Sequence, residues 1–344
     1  MEQREISIDP ETDKQEASTL LTDTDDPGRF NHNFVDVNGV RLHYVEEGRG
    51  PLVILAHGFP YLWYSWRSQI RGLAAAGYRV VAPDLRGFGQ SERPESIEAF
   101  DHTHLVGDLV GLVTSLGETS SVIVGHDIGA GLVNAAALMR PDLFRAVGVL
   151  CTPPGTRGSV RPSDFWKQIE NNNVFYQHYF QDSKADRELN SDPRGFLLGV
   201  LHGVSGSATD ANRCCIFVEK GQTILDTATM PTQFPSWFSQ QARDYYVSEY
   251  TRTGFTGALN HYRCRDRNWD LTSFLDGAVV RQPGICIMGG DDPVFPAVRA
   301  AYEKLDTHMV NLRRKVMLPG VGHAAAEEQP SKVNELLLEF LQDV

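Results

Sequence analysis

A short turn in the middle of the chain constrains the fold more than any other stretch. Residues 121–124 are Ser-Val-Ile-Val, a run typical of a buried strand, and residues 130–139 have the composition of a helix. Between them, residues 125–129 are Gly-His-Asp-Ile-Gly, so a glycine lies two positions to either side of Asp127. A sharp turn from strand to helix presents its central side chain at the edge of a sheet. The pattern therefore predicts a nucleophile elbow with Asp127 at its tip, where serine is more usual.

Strands and helices alternate regularly around this turn. Residues 51–56 and 79–82 are short apolar runs, typical of strands buried on both faces, and a helical segment lies between them. After the turn, Pro141 ends the helix, and residues 146–151 form the next apolar run. This alternation predicts the α/β class, with a mostly parallel sheet flanked by helices.

Three parts of the chain depart from this alternation. Residues 1–30 are polar and acidic without a sustained period, which predicts a flexible arm. Asn38-Gly39, between two alternating segments, predicts a β-hairpin. Residues 153–269 begin with prolines and glycines and continue with helical, aromatic sequence that lacks strand-like runs. We therefore predict an α/β core formed by residues 31–152 and 270–344, and a helical cap formed by residues 153–269.

Charge and hydropathy exclude several classes of function. The net charge is −12, and the first 30 residues contribute half of it through nine acidic and three basic residues. Without a basic footprint, neither nucleic acid nor an anionic membrane surface is an expected partner. The N-terminus lacks the features of a signal peptide, and no apolar run is long enough to span a bilayer.

The cysteines indicate a reducing environment. Their number, five, is odd, and no pair of them has the spacing of zinc ligands. The adjacent pair Cys214-Cys215 is more typical of free thiols than of a redox centre. We therefore expect a cytoplasmic protein without a zinc site formed by these cysteines.

Polar side chains follow several of the predicted strands. The carboxyl ends of parallel strands lie at one edge of the sheet, where sites in such folds form. The loops at this edge carry a His-Gly-Phe-Pro motif at residues 57–60, Asp127, the pair Asp291-Asp292, and His323. A nucleophile, then an acid, then a histidine is the order of a catalytic triad in this topology. Either aspartate of the pair could be the acid.

With these motifs, the chain resembles the α/β-hydrolase superfamily and, within it, the epoxide hydrolases. The resemblance extends from about residue 31 to the end of the chain, and it favours Asp292 as the acid because Pro293-Val294 follows it. Two segments of the predicted cap resemble the tyrosine segments of epoxide hydrolases. The matching segments are His57–Pro60, Asp84–Gly89, Gly125–Asp127, Tyr176–Gln181, Gly254–Arg263, Asp292–Val294 and Gly322–His323.

The resemblance implies a role for each candidate residue. Asp127 would attack the epoxide carbon, while Tyr176 and Tyr262 hold the epoxide oxygen; Tyr179 competes with Tyr176 for this role. His323, oriented by Asp292, would activate the water that hydrolyses the resulting ester. The backbone N–H groups of Phe59 and Ile128 would form the oxyanion hole, and Phe59, Pro60 and Ile128 would contact the substrate. The expected substrate is a small apolar epoxide, which reacts with water to give a vicinal diol. The cycle that the resemblance implies uses no metal and no cofactor.

Several polar residues beside these motifs are expected to be structural. Asp84 and Arg86 would form an ion pair within their own loop. His57 would order the oxyanion loop, in which Phe59-Pro60 is expected to be cis, as in relatives. His126, next to the nucleophile, would be a packed support rather than a base.

The sequence is also compatible with two other functions. A haloalkane or haloacid dehalogenase uses the same Asp-His-Asp machinery, but it needs no pair of cap tyrosines. Many relatives have tryptophan after the nucleophile, and Ile128 offers no indole N–H to a halide, which weakens this alternative. A non-enzymatic ligand receptor on the same scaffold is the less favoured alternative. A homodimer is compatible with any of the three.

Overall fold

The computed structural model describes residues 24–344, and these residues contain ten strands and fourteen α-helices. The strands are β1 (His32–Val37), β2 (Val40–Glu47), β3 (Leu52–Ala56), β4 (Arg79–Pro83), β5 (Ser121–His126), β6 (Phe144–Leu150), β7 (Asn173–Phe175), β8 (Phe217–Glu219), β9 (Gly284–Gly289) and β10 (Leu312–Leu318). The helices are α1 (Arg67–Ala75), α2 (His102–Ser115), α3 (Ile128–Met139), α4 (Pro162–Ile169), α5 (Tyr176–Tyr179), α6 (Lys184–Ser191), α7 (Pro193–Gly203), α8 (Gln240–Thr253), α9 (Thr256–Arg263), α10 (Arg265–Leu271), α11 (Phe295–Glu303), α12 (Leu305–His308), α13 (Ala325–Glu328) and α14 (Pro330–Gln342).

A mostly parallel sheet of eight strands forms the centre of the fold, in the order β1-β2-β4-β3-β5-β6-β9-β10. The pairs β1-β2 and β2-β4 are antiparallel, and all later pairs are parallel. β3 and β5 are buried at every position, so both faces of the sheet are covered there. Helices α1 and α14 pack against each other, as do α2 and α3. The predicted α/β fold with a mostly parallel sheet is confirmed.

The first hairpin forms where the sequence predicted it. Asn38 and Gly39 have φ angles of 49° and 77°, so both adopt the left-handed conformation that a tight hairpin turn requires. Val37 and Val40 pair directly across the turn.

The segment between β6 and β9 is helical, as expected, but it also contains a small sheet. It holds helices α4 to α10, and β7 pairs antiparallel with β8. The expectation that this segment has no strands was therefore wrong. Each of these strands has three residues, which is too short for an alternating pattern to show in the sequence.

Part of the predicted N-terminal arm packs against the core. Phe30 is buried, and Asp25 accepts hydrogen bonds from Tyr64 and Arg67. The first 23 residues of the arm lie outside the described residues. Within residues 24–344, no helix is both long enough and apolar enough to cross a bilayer.

Candidate active site

Asp127 lies at a strained turn between β5 and α3. Its φ and ψ are 52° and −122°, a conformation that side-chain-bearing residues rarely adopt. The backbone segments around this turn approach so closely that only glycine fits at two positions. A Cβ on Gly125 would lie 2.2 Å from the Gly129 oxygen, and a Cβ on Gly129 would lie 2.4 Å from the Ala56 oxygen. The two glycines of the motif therefore allow the turn, and the strain is located at the candidate nucleophile.

Three side chains from distant parts of the chain meet at this turn. His323 Nε2 lies 3.5 Å from Asp127 Oδ2, and His323 Nδ1 lies 2.7 Å from Asp292 Oδ2. The other oxygen of Asp292 accepts a hydrogen bond from the Val294 N–H at 2.8 Å. The Asp291 side chain is exposed. The structure thus places Asp292, and not Asp291, against the histidine.

Asp127, His323 and Asp292 are close enough that their charges shift the pKa values of Asp127 and His323. Burial raises the pKa of the Asp127 carboxyl, but the hydrogen bond and the charge of His323 outweigh it, so the pKa lies below its usual value. Burial lowers the pKa of His323, but the negative charges of Asp292 and Asp127 raise it to about 10. At neutral pH, the resting site therefore holds an imidazolium between two carboxylates.

Glu328 fixes the loop that carries His323. Its carboxylate accepts hydrogen bonds from the N–H groups of Gly322 at 3.0 Å and Ala324 at 3.1 Å, which flank the histidine. It also accepts one from Gly206, in the inserted segment, at 2.8 Å. One half-buried carboxylate therefore ties the histidine loop to the segment above it.

Replacing Glu328 by glutamine is expected to lower the free energy of unfolding by about 1–3 kcal/mol, because an amide cannot accept all of these hydrogen bonds. Urea denaturation would measure the change. Glu303→Gln, at an exposed position of α11, is the matched control and should change the free energy of unfolding little. Equal stabilities of the two variants would contradict the role given to Glu328.

Phe59 and Pro60 form one wall of the site. The Phe59 N–H donates to Asp127 Oδ1 at 2.8 Å, and the Phe59-Pro60 peptide is cis, as expected. His57 Nδ1 lies 2.9 Å from the Gly58 oxygen, and its Nε2 accepts from the Leu85 N–H at 3.0 Å. His57 therefore holds this loop in place, in line with the sequence-based expectation.

An apolar cavity opens above Asp127 and contains both candidate tyrosines. The rings of Tyr176 and Tyr262 are 5.8 Å apart, and Tyr262 lies 5.7 Å from Phe59. Burial, followed by the charge of Asp127, raises the pKa of both hydroxyls, which therefore remain protonated donors. The cavity is lined by Phe59, Pro60, Tyr61, Asp127, Tyr176, Phe180, Phe196, Val200, Val204, Cys214, Cys215, Ile216, Ile224, Thr227, Tyr262, Val294 and His323.

Two sequence-based candidates lie elsewhere. The Tyr179 hydroxyl donates to Glu188 at 2.7 Å, and Tyr179 does not line the cavity. The Ile128 side chain, which we expected to contact the substrate beside Asp127, borders a separate small void with Leu85 and Leu132. The Ile128 N–H remains available for the oxyanion hole, because the first N–H groups of a helix have no partner within it.

The polar residues of the Asp84–Gly89 loop are structural, but the ion pair expected between them does not form. Asp84 accepts from His43 at 2.8 Å, and Arg86 pairs with Asp108. The prediction was wrong because both partners, on β2 and α2, are far away in sequence. His126 is a buried support, as expected: its Nε2 lies 2.7 Å from the His323 oxygen, and burial, followed by the His323 charge, lowers its pKa to about 3.

The side chains of His126, Cys151 and His323 are the nearest approach to a metal site in residues 24–344. Their donor atoms lie within 4.8 Å of one another. Ligands of a tetrahedral zinc site are closer, at about 3.4 Å from each other. His323 Nδ1 is also bonded to Asp292 already. We therefore assign no metal to this cluster.

Most of the cavity wall was missed by the sequence analysis. Most of the missed side chains come from α7, from the loop after it and from residues 224–227, and all of these except Thr227 are ordinary apolar residues. Cys214 and Cys215 were noted only as free thiols; both are free and lie in the wall. An apolar side chain in a cap has no signature that distinguishes a cavity wall from general packing.

Comparison with known proteins identifies the class of this fold and site. The family described as the α/β hydrolase fold matches residues 51–330. The chain therefore belongs to the α/β hydrolase fold family, whose elbow, acid and histidine follow the order seen here.

Relatives within that family identify the group more closely. Epoxide hydrolase A of Mycobacterium tuberculosis is 42% identical over 91% of this chain and 98% of its own length. The crystal structure of Epoxide Hydrolase A from Mycobacterium thermoresistibile is also 42% identical, with a TM-score of 0.86 over 91% of this chain and 98% of that one. An epoxide hydrolase from an endophytic Streptomyces is 39% identical, with a TM-score of 0.88 over 91% and 95% of the two chains. The chain is a member of the epoxide hydrolase family.

Proposed function

We propose that this protein opens a small apolar epoxide to a vicinal diol through a covalent ester on Asp127. The observation that carries the proposal is a carboxylate, a histidine–aspartate pair and two tyrosines around one apolar cavity. Relatives of similar length carry the name epoxide hydrolase, which supports the choice of substrate. The cycle assigned to these residues consumes one water.

In the first step, Asp127 attacks an epoxide carbon. Its Oδ1 is held by the Phe59 N–H, which leaves Oδ2 as the attacking atom. The carboxylate is ionised at neutral pH, so it needs no base. As the new C–O bond forms, the epoxide C–O bond breaks, and the leaving oxygen takes a proton from one of the hydroxyls of Tyr176 and Tyr262 while the other hydrogen-bonds to it. The tyrosines thus stabilise an alkoxide that is poor as a leaving group.

In the second step, His323 activates water. Ester formation removes the charge of Asp127, one of the two charges that raise the pKa of His323. The imidazolium therefore loses its proton more readily; the proton returns through water to the tyrosine that protonated the leaving oxygen, and the neutral imidazole becomes a base, still oriented by Asp292. It takes a proton from water, and the hydroxide attacks Cγ of Asp127. The tetrahedral oxyanion lies against the N–H groups of Phe59 and Ile128, and collapse releases the diol as His323 returns the proton.

The same acid–base machinery could in principle cleave a carbon–halogen bond. A halide leaving group needs no proton, so the two tyrosines at the cavity would have no role in that reaction. The residue after the nucleophile, Ile128, offers only its backbone N–H to a halide. These features favour the epoxide as substrate.

Heavy-oxygen water would test the covalent ester. In a single turnover, with enzyme in excess of the epoxide, we expect the label to enter the Asp127 carboxylate, because water attacks Cγ and not the substrate carbon. Peptide mass spectrometry would locate it. Label in the diol after one turnover, with none in Asp127, would instead indicate direct attack by water and would overturn the ester mechanism.

A further inference from the structure

The hydroxyls of the two cavity tyrosines have different surroundings. The side-chain amide of Gln177 donates a hydrogen bond to the Tyr176 hydroxyl oxygen, with 2.8 Å between Nε2 and that oxygen. The Tyr262 hydroxyl has no hydrogen-bond partner within residues 24–344. Because Gln177 contacts the oxygen of Tyr176 and not its hydrogen, the O–H group of Tyr176 can still donate to a substrate.

The bond from Gln177 changes how readily Tyr176 gives up its proton. A donor to a hydroxyl oxygen stabilises the phenolate more than the phenol, because the oxygen becomes charged. Burial, followed by the charge of Asp127, raises the pKa of the Tyr176 hydroxyl, and the bond from Gln177 acts against both. At Tyr262, no hydrogen bond acts against burial, and a charge on Tyr176 raises the pKa further. Tyr176 is therefore the better acid, and its ionisation helps Tyr262 to keep its proton.

Access to water also distinguishes the two tyrosines. Tyr176 and Gln177 are half-buried, whereas Tyr262 is buried. A tyrosine that gives its proton to the substrate must recover one before the next turnover, and in the proposed cycle that proton returns through water. Water reaches a half-buried side chain more readily than a buried one, so Tyr176 is also the easier of the two to protonate again.

Further hydrogen bonds fix the backbone around these side chains. Gln181 Nε2 donates to the Gln177 carbonyl oxygen at 2.8 Å and to the Tyr262 carbonyl oxygen at 3.0 Å. One amide therefore holds together the two segments that carry the tyrosines. The Tyr176 N–H donates to the Ile216 carbonyl oxygen at 3.0 Å. The backbone that carries the Gln177 side chain is thus fixed relative to both tyrosines.

We propose that Gln177 is a positioning residue that makes Tyr176 the tyrosine from which the epoxide oxygen takes its proton. This inference rests on the proposed function, because it concerns the first step of that cycle. As the epoxide C–O bond breaks, the O–H bond of Tyr176 breaks and a new O–H bond forms on the leaving oxygen. The electron pair stays on the Tyr176 oxygen, and the phenolate accepts the hydrogen bond from Gln177. Tyr262 remains protonated and contributes a hydrogen bond only.

Single-turnover measurements of ester formation test the role of Gln177. Gln177→Met keeps a similar length but offers no donor, so it should slow ester formation about tenfold or more. In the Tyr176→Phe background the same substitution should have little further effect, because no phenolate forms there. Gln177→Glu should slow the step more than Gln177→Met, since an ionised carboxylate next to Tyr176 opposes the phenolate. Gln168→Met, at an exposed position of α4, is the matched control and should leave the rate unchanged.

Two comparisons separate this role from a general structural one. Hydrolysis of an ester that has already formed depends on His323, so Gln177→Met should not slow that step, which also shows that the variant is folded. Tyr176→Phe should slow ester formation more than Tyr262→Phe, because it removes the proton as well as a hydrogen bond.

The outcomes distinguish this inference from the proposed function. If Gln177→Met slows ester formation equally with and without the Tyr176 hydroxyl, or does not slow it, the inference is wrong while the proposed function stands. The same conclusion follows if Tyr262→Phe is the slower of the two single tyrosine variants. If the wild-type protein forms neither ester nor diol from an epoxide, the proposed function fails and the inference fails with it.

Discussion

Replacing His323 by glutamine is expected to stop the reaction after the first step, with the substrate covalently attached to Asp127. In the proposed mechanism the first step needs only the carboxylate and the tyrosine hydroxyls, whereas hydrolysis needs a base, the role given to His323, whose Nε2 lies 3.5 Å from Asp127 Oδ2. Loss of a general base reduces rates by about 10²–10⁴-fold, and we expect turnover to fall by that factor. Intact-protein mass spectrometry should show an adduct equal to the mass of one epoxide.

Two variants make this experiment specific. Asp127→Asn should form no adduct under the same conditions, because the amide is a poor nucleophile. His308→Gln replaces another buried histidine, which contacts Asn134 outside the cavity, and it should leave turnover near that of the wild type. Normal diol formation by the His323 variant would show that His323 is not the base that activates water.

The parts of the fold and site that the sequence predicted are those with local signals. The turn at Asp127 was predictable because its strand, two glycines and helix are consecutive. Asn38-Gly39 predicted the hairpin for the same reason. The meeting of Asp127, Asp292 and His323 followed from topology: each ends a parallel strand, and such ends share one edge of the sheet.

The parts that were missed depend on contacts between distant residues. Nothing near Asp84 or Arg86 indicates that their partners lie on β2 and α2. The strand β10 has no continuous apolar run along its whole length, because at the edge of the sheet its positions before Leu318 alternate between half-buried and exposed. The direction of the Ile128 side chain depends on how α3 packs, and the sequence could not supply it.

Removing both tyrosine hydroxyls, by Tyr176→Phe together with Tyr262→Phe, is expected to slow ester formation by a factor on the order of 10³ or more. In the proposed mechanism each hydroxyl donates to developing negative charge, and loss of one such donor typically costs about 10²–10³-fold. The phenyl rings would preserve the packing between Tyr176, Tyr262 and Phe59. Single-turnover kinetics of adduct formation would measure the rate of this step.

The position of Tyr179 provides the matched control for that variant. Its hydroxyl is bonded to Glu188 and lies outside the cavity wall, so Tyr179→Phe should leave ester formation unchanged. Because the hydroxyls act on the leaving oxygen, the double variant should still hydrolyse an ester once it has formed, since that step depends on His323. A double variant that forms the ester at the wild-type rate would mean that no proton donor is needed. The leaving group would then have to be a weaker base than an alkoxide, and a carbon–halogen bond would become the better candidate for cleavage.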